Sequence, residues 1–464
     1  MEFGWNILWF IIGVSLLVTV HEFGHFWVAR RLGFKVLRFS IGFGKPLFRK
    51  IGRAPDHTEY VIAAVPLGGY VRMLDERDGT VDSQDLPRAF GSKPPWQRIL
   101  VMLAGPAANI IFAIVVLWGM FWYSGVTHVK PIVDQVTVGS NAARAGLRKG
   151  DEFLKIDGQT ILDQGDAALG LLDAVSDDGE ALIEVRGSDG SARTVKLVVP
   201  DAEERHKLTE PSNLIFTGLG FEFWAPTVPA LLSVVESGGP AANAGLRPGD
   251  LVVAVDGGPV HSFFEFGSYI RARPDKEVIL TVRRDGSEFS RRVRTIRDVQ
   301  NGHTVGRLMI QGPEDIEQFI PAKMKTPVDS GPIAALRAAT AKSWQLTVAQ
   351  AKFFVRMLTG KMSTKNISGF ITIGKYAGEA AHAGPNSFLM LLVLLSLSLG
   401  LLNLLPIPIL DGGQIVFQLA EWAKGRPLSD RTYMVGQQAG LLLLVLLMGV
   451  ALFNDLTGLF AAHT

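Results

Sequence analysis

The sequence predicts a polytopic α-helical membrane protein that also carries two tandem α+β domains outside the membrane. Two observations support this fold class. Hydrophobic residues make up 48% of the 464 residues, and they are concentrated in four apolar runs long enough to cross a bilayer. The long segment between the second and third runs is more polar and contains an internal repeat. A chain with both features combines membrane helices with a region that folds in water.

Each of the four apolar runs is longer than a buried strand and carries few charges. The first begins beside Glu2, has no basic head and is followed by no small-residue cleavage site, so we expect it to stay in the membrane. The predicted transmembrane helices are 1–30, 97–123, 387–413 and 434–456. The predicted intervening regions are a membrane-associated β region at 31–96, domains at 127–220 and 221–312, and a juxtamembrane segment at 313–386.

Basic residues indicate the orientation of the spans. Eight lysines and arginines lie between Arg30 and Arg53, directly after the first span. Because such residues collect on the cytoplasmic side of a membrane, this side is predicted to be cytoplasmic. Four spans then place both termini and the 124–386 region outside, and the loop from Asp411 to Tyr433 inside.

Composition excludes several classes of function. The formal net charge is only +2, from 46 basic and 44 acidic residues, so no overall positive field indicates a nucleic-acid partner. The chain contains no cysteine, which excludes disulfides, thiolate nucleophiles and cysteine-based zinc sites. A metal would therefore have to be bound by histidines and carboxylates.

The repeat in the polar region has a period of about one small domain. Ala145–Asp151 (AGLRKGD) recurs as Ala244–Asp250 (AGLRPGD), and Ile156–Gly158 recurs as Val255–Gly257, each pair 99 residues apart. Solenoid units are roughly 20–50 residues long. The longer period indicates a duplicated domain in which a Gly-Asp turn leads into a strand ended by Asp-Gly.

An amphipathic helix is predicted between the second repeat and the third span. Its apolar positions recur at helical spacing from Trp344 to Leu358, while Lys342, Lys352 and Arg356 occupy other positions on the wheel. The charges argue against a fifth span. The helix is expected to lie on the outer membrane surface or to pack against a repeat domain.

Three ionisable residues at the end of the first apolar run form an HExxH sequence, His21-Glu22-Phe23-Gly24-His25. On a helix the two histidines share a face, so both imidazoles can reach one zinc ion while Glu22 stands beside it as a base. Ionisable groups next to hydrocarbon are costly and are usually functional. A pair of helix-capping histidines is the alternative.

A catalytic zinc normally has three protein ligands, so one ligand is missing from this pentad. The metzincin continuation would need Gly at 28 and His at 31, where this chain has Val28 and Arg31. Glu59 is the nearest downstream glutamate, but it lies in a strand-like stretch. Asp411 is the stronger candidate, because it lies in a proline- and glycine-rich segment, 403–413, at the end of the third span. Irregular backbone at membrane depth is tolerated only inside protein or beside a watery cavity.

The HExxH sequence in one span and the NxxPxPxLDGG sequence of Asn403–Gly413 in another resemble the site-2 protease family of intramembrane zinc metalloproteases. Gly105-Pro106 with Asn109 resembles that family's GPxxN element, for which close helix packing is the simple interpretation. The resemblance covers essentially the whole chain. It implies one Zn²⁺ per chain with ligands His21, His25 and Asp411, water activation by Glu22, and substrate positioning by Asn403, Pro406 and Pro408.

Two further resemblances concern peptide binding. The repeat is similar to the PDZ family, and Gly218-Leu219-Gly220-Phe221, just before the core of the second copy, resembles the PDZ loop whose N–H groups receive a peptide carboxylate. A strand that binds no ligand explains this segment equally well. Val65–Val71, with Gly68 and Gly69, resembles a membrane-associated β-hairpin of the site-2 proteases, whose edge could pair with an unwound substrate. An ordinary cytoplasmic hairpin is the alternative.

The family resemblance also implies substrates and a location. Site-2 proteases of this type cleave single-span membrane proteins, namely an anti-sigma factor already trimmed outside and remnant signal peptides, in an envelope stress response. The expected location is the inner membrane of a Gram-negative bacterium, with periplasmic PDZ domains and an active site toward the cytoplasm. Two other functions remain open: a membrane adaptor that captures peptide C-termini, and a metal transporter that uses the same three ligands.

Overall fold

The computed structural model describes residues 2–54, 56–125, 127–209, 215–300, 303–313, 316–327, 331–362 and 367–461. They form two compact units, and each is described by itself. The helical unit comprises 1–126, 328–359 and 367–452, and the repeat unit comprises 127–327, 360–366 and 453–464.

Thirteen α-helices lie in the described part of the chain. In chain order they are α1 Glu2–Arg31, α2 Pro95–Ser124, α3 Asn141–Ala145, α4 Gln164–Asp177, α5 Ala202–Leu208, α6 Ile215–Leu219, α7 Pro240–Asn243, α8 Phe263–Arg271, α9 Pro332–Leu358, α10 Phe370–His382, α11 Pro385–Asn403, α12 Asp411–Lys424 and α13 Asp430–Ala461.

The same residues contain eighteen strands. They are β1 Val36–Ile51, β2 Glu59–Met73, β3 Thr127–Val129, β4 Val133–Val136, β5 Glu152–Ile156, β6 Gln159–Thr160, β7 Glu180–Arg186, β8 Ala192–Val198, β9 Phe221–Phe223, β10 Val234–Val235, β11 Leu251–Val255, β12 Gly258–Pro259, β13 Glu277–Arg284, β14 Ser287–Arg294, β15 Ile296–Gln300, β16 His303–Arg307, β17 Ile310–Gln311 and β18 Lys325–Pro327.

Four helices are long and apolar enough to cross a membrane, as the sequence predicts. Within the described residues these segments are Gly4–Arg31, Pro95–Tyr123, Pro385–Asn403 and Asp430–Thr457. The third predicted helix, 387–413, is corrected: α11 ends at Asn403, and Asp411 is the first residue of a separate helix, α12. The prolines of the intervening segment explain the break, because proline lacks the N–H that a helix interior requires.

Small residues bring the helices of this unit close together. A Cβ placed on Gly24 of α1 would lie 2.2 Å from the Ala104 carbonyl oxygen of α2, so only glycine permits this approach. On the opposite side, Ser396 of α11 donates a hydrogen bond of 2.9 Å to the Asn109 carbonyl of α2. Helix α2 is therefore fixed between α1 and α11 at the level of the HExxH residues.

A buried ion pair fixes the far end of α12. Glu421 accepts a hydrogen bond of 2.8 Å from Arg98 at the start of α2 and one of 3.1 Å from the Tyr433 hydroxyl of α13. Its other contact is the Leu428 N–H at 3.1 Å. The helix that begins with Asp411 is thus held at its C-terminal end by two other helices.

Strands β1 and β2 form an antiparallel pair beside α1. Ser15 of α1 donates a hydrogen bond of 3.1 Å to the Pro66 carbonyl of β2. The distal half of β1 carries exposed apolar side chains, with Leu47 74% exposed and Phe48 56% exposed. The predicted Val65–Val71 segment lies in β2. Because its Pro66 accepts the hydrogen bond from Ser15, this part of β2 runs along the helix that contains HExxH.

The segment after the repeats contains two helices where one amphipathic helix was predicted. Helix α9 packs along α2: the Trp118 indole N–H donates to the Pro332 carbonyl at 2.9 Å, and Ala339 is buried with Ala113. Helix α10 packs on α1, where a Cβ on Gly378 would collide with the Asn6 side chain. Both helices thus pack on membrane-spanning helices. The prediction considered only the membrane surface or a repeat domain, because the positions of the charged residues on the helical wheel do not reveal the packing partner.

The two repeats fold alike. Each has a four-stranded antiparallel sheet, with orders β6-β5-β7-β8 and β12-β11-β13-β14. The repeated Asp-Gly turns place Asp157 and Asp256 at φ 47° and 49°. Their side chains accept the backbone N–H of Leu182 and Ile279, at 2.9 and 2.7 Å, on the neighbouring strand.

The repeated Asp250 is buried and tied to the sheet. Arg284 donates two hydrogen bonds to its carboxylate, at 2.6 and 2.8 Å, and the Arg247 N–H donates a third. Burial alone would raise the pKa of Asp250, but these hydrogen bonds and the Arg284 charge outweigh it and lower the pKa below its usual value.

The predicted domain boundary at 220/221 is wrong. Strand β9 pairs with β4 of the first repeat, and Leu219, Phe221 and Phe223 belong to the core of that repeat. The equivalent pair in the second repeat is β10 with β17. Each repeat therefore ends with a strand that returns to its own beginning, and the first repeat extends through Phe223.

The repeat unit also extends beyond the predicted end at 312. Strand β18 pairs with β3, with Thr127 opposite Pro327. The His128 imidazole in this ribbon lies 2.8 Å from Asp163, the residue that caps α4. The 127–327 segment of the repeat unit thus begins and ends at one two-stranded ribbon.

Candidate active site

His21 and His25 lie one turn apart on α1 and face the same way. Both are 7% exposed, and their Nε2 atoms are 3.2 Å apart. This is the arrangement that i, i+4 spacing on a helix produces.

Asp411 reaches the histidines from the opposite end of the sequence. After α11 ends, 404–410 forms a tight path in which Gln414 donates a hydrogen bond of 2.8 Å to the Pro408 carbonyl. A Cβ on Gly412 or Gly413 would lie 2.2 Å from a carbonyl oxygen of this path, so both positions require glycine. The path places Asp411 Oδ2 3.1 Å from His21 Nε2 and 3.4 Å from His25 Nε2.

The three converging atoms form a donor set that suits a cation. Each carries a lone pair, and the buried Asp411 Oδ2 receives no well-aligned hydrogen bond from the described residues. Tetrahedral ligands at about 2.0–2.2 Å from zinc lie about 3.3–3.6 Å from one another. The observed separations of 3.1 to 3.4 Å are close to that range. Glu59, the alternative third ligand, is instead paired with Arg38 and Arg49.

Gly105 of α2 forms the floor beneath the two imidazoles. A Cβ at this position would lie 2.2 Å from His25 Nε2 and 2.8 Å from His21 Cε1. The GPxxN element is therefore a close helix contact, and it also leaves the space that the two rings occupy.

Helix α2 also contacts the second nitrogen of each imidazole. His25 Nδ1 lies 2.7 Å from the Val101 carbonyl. His21 Nδ1 lies 3.4 Å from the side-chain amide of Asn109. Sequence reasoning assigned Asn109 to helix packing and missed this contact, although its place one turn after Gly105 was a usable signal.

Glu22 lies between the histidine pair and strand β2. The Val71 N–H of β2 donates a hydrogen bond to its carboxylate. A Cβ on Gly69 would lie 3.0 Å from Glu22 Cγ and 2.8 Å from the Ser40 carbonyl. Of the two predicted glycines, Gly69 thus lies against the glutamate, whereas Gly68 faces the Phe43 ring.

The other predicted positioning residues lie on the path to Asp411. Asn403 is the last residue of α11 and is half-buried, Pro406 is exposed and Pro408 is half-buried. Within the described residues, none of these three contributes an atom to the cluster of His21, His25 and Asp411.

The predicted peptide loop Gly218–Phe221 belongs to the first repeat, not to the second. Gly220 has φ +85°, and its carbonyl accepts the Thr137 N–H at 2.8 Å. The rings of Phe216 and Phe221 lie 5.5 Å apart. Helix α6 therefore packs beside this loop.

The second repeat has an equivalent turn that sequence reasoning missed. Met309 has φ +57°, and its carbonyl accepts the Glu236 N–H at 3.1 Å, just as Gly220 accepts Thr137. The two turns are 89 residues apart, not 99, and the second contains methionine where the first has glycine. Because of these two differences, the sequence alone does not reveal that the turn at Met309 is equivalent to the turn at Gly220.

Comparisons with known proteins identify the family of this chain. A family model described as Peptidase family M50 matches residues 9–447. The chain is 40% identical over 456 residues to the regulator of sigma-E protease RseP of Salmonella typhimurium, covering 98% of this chain and 99% of that protein. It is 39% identical to the Escherichia coli K12 protein of the same name, covering 99% and 100%.

A relative in Neisseria meningitidis, 39% identical with 98% and 99% covered, carries the name of a zinc metalloprotease. A solved PDZ domain from Listeria monocytogenes matches 20% of this chain and 95% of its own, at 21% identity and a TM-score of 0.17, which is too limited to assign a fold. The match across nearly the whole chain is decisive for the family: this chain belongs to peptidase family M50, the site-2 proteases, and is a zinc metalloprotease.

Proposed function

We propose that this chain is an intramembrane endopeptidase in which His21, His25 and Asp411 hold one Zn²⁺ and Glu22 is the general base. The convergence of these three ligand atoms from α1 and α12 carries the proposal. The glutamate lies beside them on the same helix, which is the arrangement that HExxH proteases use. Zinc, when bound, supplies a Lewis acid for the scissile carbonyl and makes water easier to deprotonate.

The residues divide the work of hydrolysis. Glu22 takes the proton of the attacking water and returns it to the amine that leaves when the C–N bond breaks. The Val71 N–H holds the carboxylate in place through its hydrogen bond. The side-chain amide of Asn403 positions the substrate, and Pro406 and Pro408 maintain the path that places Asp411.

The substrates are single-span membrane proteins, including an anti-sigma factor and remnant signal peptides. The names of the relatives state a role in regulating sigma-E. We extend this role to the present chain and assign it to an envelope stress response. A helical peptide bond is shielded by its own hydrogen bonds, so the substrate must unwind before cleavage. Strand β2, which runs past Gly69 and Glu22, gives an unwound segment a backbone edge to pair with.

The charge pattern and the relatives support a location. We place the protein in the inner membrane of a Gram-negative bacterium, with the repeat unit in the periplasm and the active site toward the cytoplasm. The basic residues after α1 support this orientation.

The repeat unit acts as a size filter, and its two domains are PDZ domains. They keep substrates with bulky periplasmic parts from the buried site, and their terminal strands, β9 and β17, offer edges for peptide C-termini. The β3–β18 ribbon gives the boundaries for a clean test. Replacing 127–327 with a short linker should allow cleavage of an untrimmed substrate, and unchanged discrimination would contradict the filter.

The central test is cleavage of a detergent-solubilised single-span substrate by wild type, by Glu22→Gln and by wild type with a chelator. We expect wild type alone to cleave, with the bound zinc of Glu22→Gln equal to wild type. Asp411→Asn is the matched control, since it should lose both zinc and activity. Tight zinc without cleavage of several trimmed substrates would favour an adaptor, and zinc that crosses vesicle membranes would favour a transporter.

A further inference from the structure

The contact between Asn109 and His21 carries an inference about how the metal ligands are oriented. Asn109 is 0% exposed. Its main-chain carbonyl is held by Ser396 at 2.9 Å, and its Cβ lies 3.4 Å from the Cβ that Gly400 would carry. The side chain therefore has a fixed origin, and only its amide can rotate.

Two polar groups in this contact are poorly matched as the amide stands. Asn109 Oδ1 is buried without a hydrogen bond, and Nδ2 faces His21 Nδ1 at 3.4 Å. If His21 Nε2 gives its lone pair to a metal, the ring proton must be on Nδ1. An Nδ1–H cannot donate to an NH₂ group. Turning the amide by 180° exchanges two atoms of nearly equal size, gives the Nδ1–H an acceptor and gives Oδ1 a partner.

We propose that Asn109 is a positioning residue, whose side-chain oxygen accepts the His21 Nδ1–H and fixes the ring with Nε2 directed at the metal. The inference rests on the proposed zinc site. His25 has the same arrangement with a different acceptor, because its Nδ1 lies 2.7 Å from the Val101 carbonyl. Helix α2 thus orients both imidazoles, one through its backbone and one through a side chain.

Variants at Asn109 can separate this role from helix packing. Asn109→Leu and Asn109→Ala remove the acceptor, and the smaller alanine keeps the test available if leucine does not fold. Asn109→Asp keeps an acceptor oxygen in the same place. Ser396→Ala is the matched control, because it removes the hydrogen bond to the Asn109 backbone and leaves the side chain facing His21.

The measurement is zinc affinity of the full-length protein in detergent, by competition with a chelating dye, together with the visible spectrum of the Co²⁺-loaded protein. Loss of such an outer partner weakens metal binding by about 10–100-fold. We expect that loss, and an altered Co²⁺ spectrum, for Asn109→Leu and Asn109→Ala. Asn109→Asp and Ser396→Ala should stay within about threefold of wild type, and the metal-free melting temperatures should agree.

Three results would overturn the proposal: wild-type affinity in both acceptor-free variants, equal losses in Asn109→Asp and Asn109→Ala, or a loss in Ser396→Ala as large as that in Asn109→Ala. The last would assign the effect to packing of α2 against α11. If instead wild type bound no zinc, or His21→Ala bound it as tightly, the metal site itself would fall and this inference with it.

Discussion

Replacing Gly105 with alanine would place a methyl group in the space beneath the proposed zinc site. The added carbon would lie 2.2 Å from His25 Nε2, whereas ordinary contact begins at 3.4 Å. Either the imidazole or α2 must therefore move by about 1 Å. Metal–ligand distances stay within about 0.2 Å of their usual values, so a displacement of this size is several times larger than that range.

When the same concentration of chelating dye competes for the metal, we expect Gly105→Ala to retain less than about a tenth of the zinc that the wild type retains. Proteolysis should fall in parallel. Zinc content by atomic absorption and cleavage of a single-span substrate measure the two effects. Gly119→Ala is the matched control: it is on the same helix, and no neighbouring atom lies within 4 Å of the added carbon. It should keep its zinc and gain up to about 1 kcal/mol of helix stability. Normal zinc in Gly105→Ala would refute the floor role.

Three further substitutions test the contact with Glu22, the buried ion pair of α12 and the second repeat. Gly69→Ala presses on the Glu22 side chain and not on the metal ligands, so turnover should fall about 10-fold or more with zinc content unchanged; simultaneous zinc loss would contradict this. Glu421→Ala leaves its buried arginine partner uncompensated and should cost about 3–5 kcal/mol of stability, measured by thermal unfolding in detergent; an unchanged melting temperature would refute it. Because the pKa of folded Asp250 is depressed, its hydrogen bonds with Arg284 stabilise the second repeat above about pH 4. That contribution should fade as the pH drops through the lower folded pKa, giving faster hydrogen exchange in β11, and Asp250→Asn should flatten this dependence.

The sequence predicted the site best where local spacing decides the geometry. The histidines of HExxH meet because a helix puts i and i+4 on one face. The sequence predicts Asp411 at the site because this residue lies between two prolines and two glycines at membrane depth, where a buried carboxylate needs a cation to balance its charge. Its exact setting differs: it starts α12 and does not end α11, since the prolines break the helix earlier than the apolar run ends.

Long-range pairing limited the prediction elsewhere. Strand β9 pairs with β4, which lies at the other end of the first repeat, and no local pattern signals which repeat β9 joins. The turn at Met309 is not predicted from the sequence, because a left-handed turn usually contains glycine. Asn109 looked like a packing residue, since a contact with His21 depends on how α1 and α2 face each other.

The separation of the three proposed metal ligands along the chain has a consequence during synthesis. Both histidines and the α2 residues that orient them emerge early, whereas Asp411 follows His25 by about 390 residues. At about 5–20 residues per second, that interval lasts about 20–80 s. Throughout it the nascent chain has two of its three ligands, so the ribosome delivers an incomplete protease. On the proposed mechanism, catalytic competence is acquired only when α12 has been made, after both repeat domains are already complete.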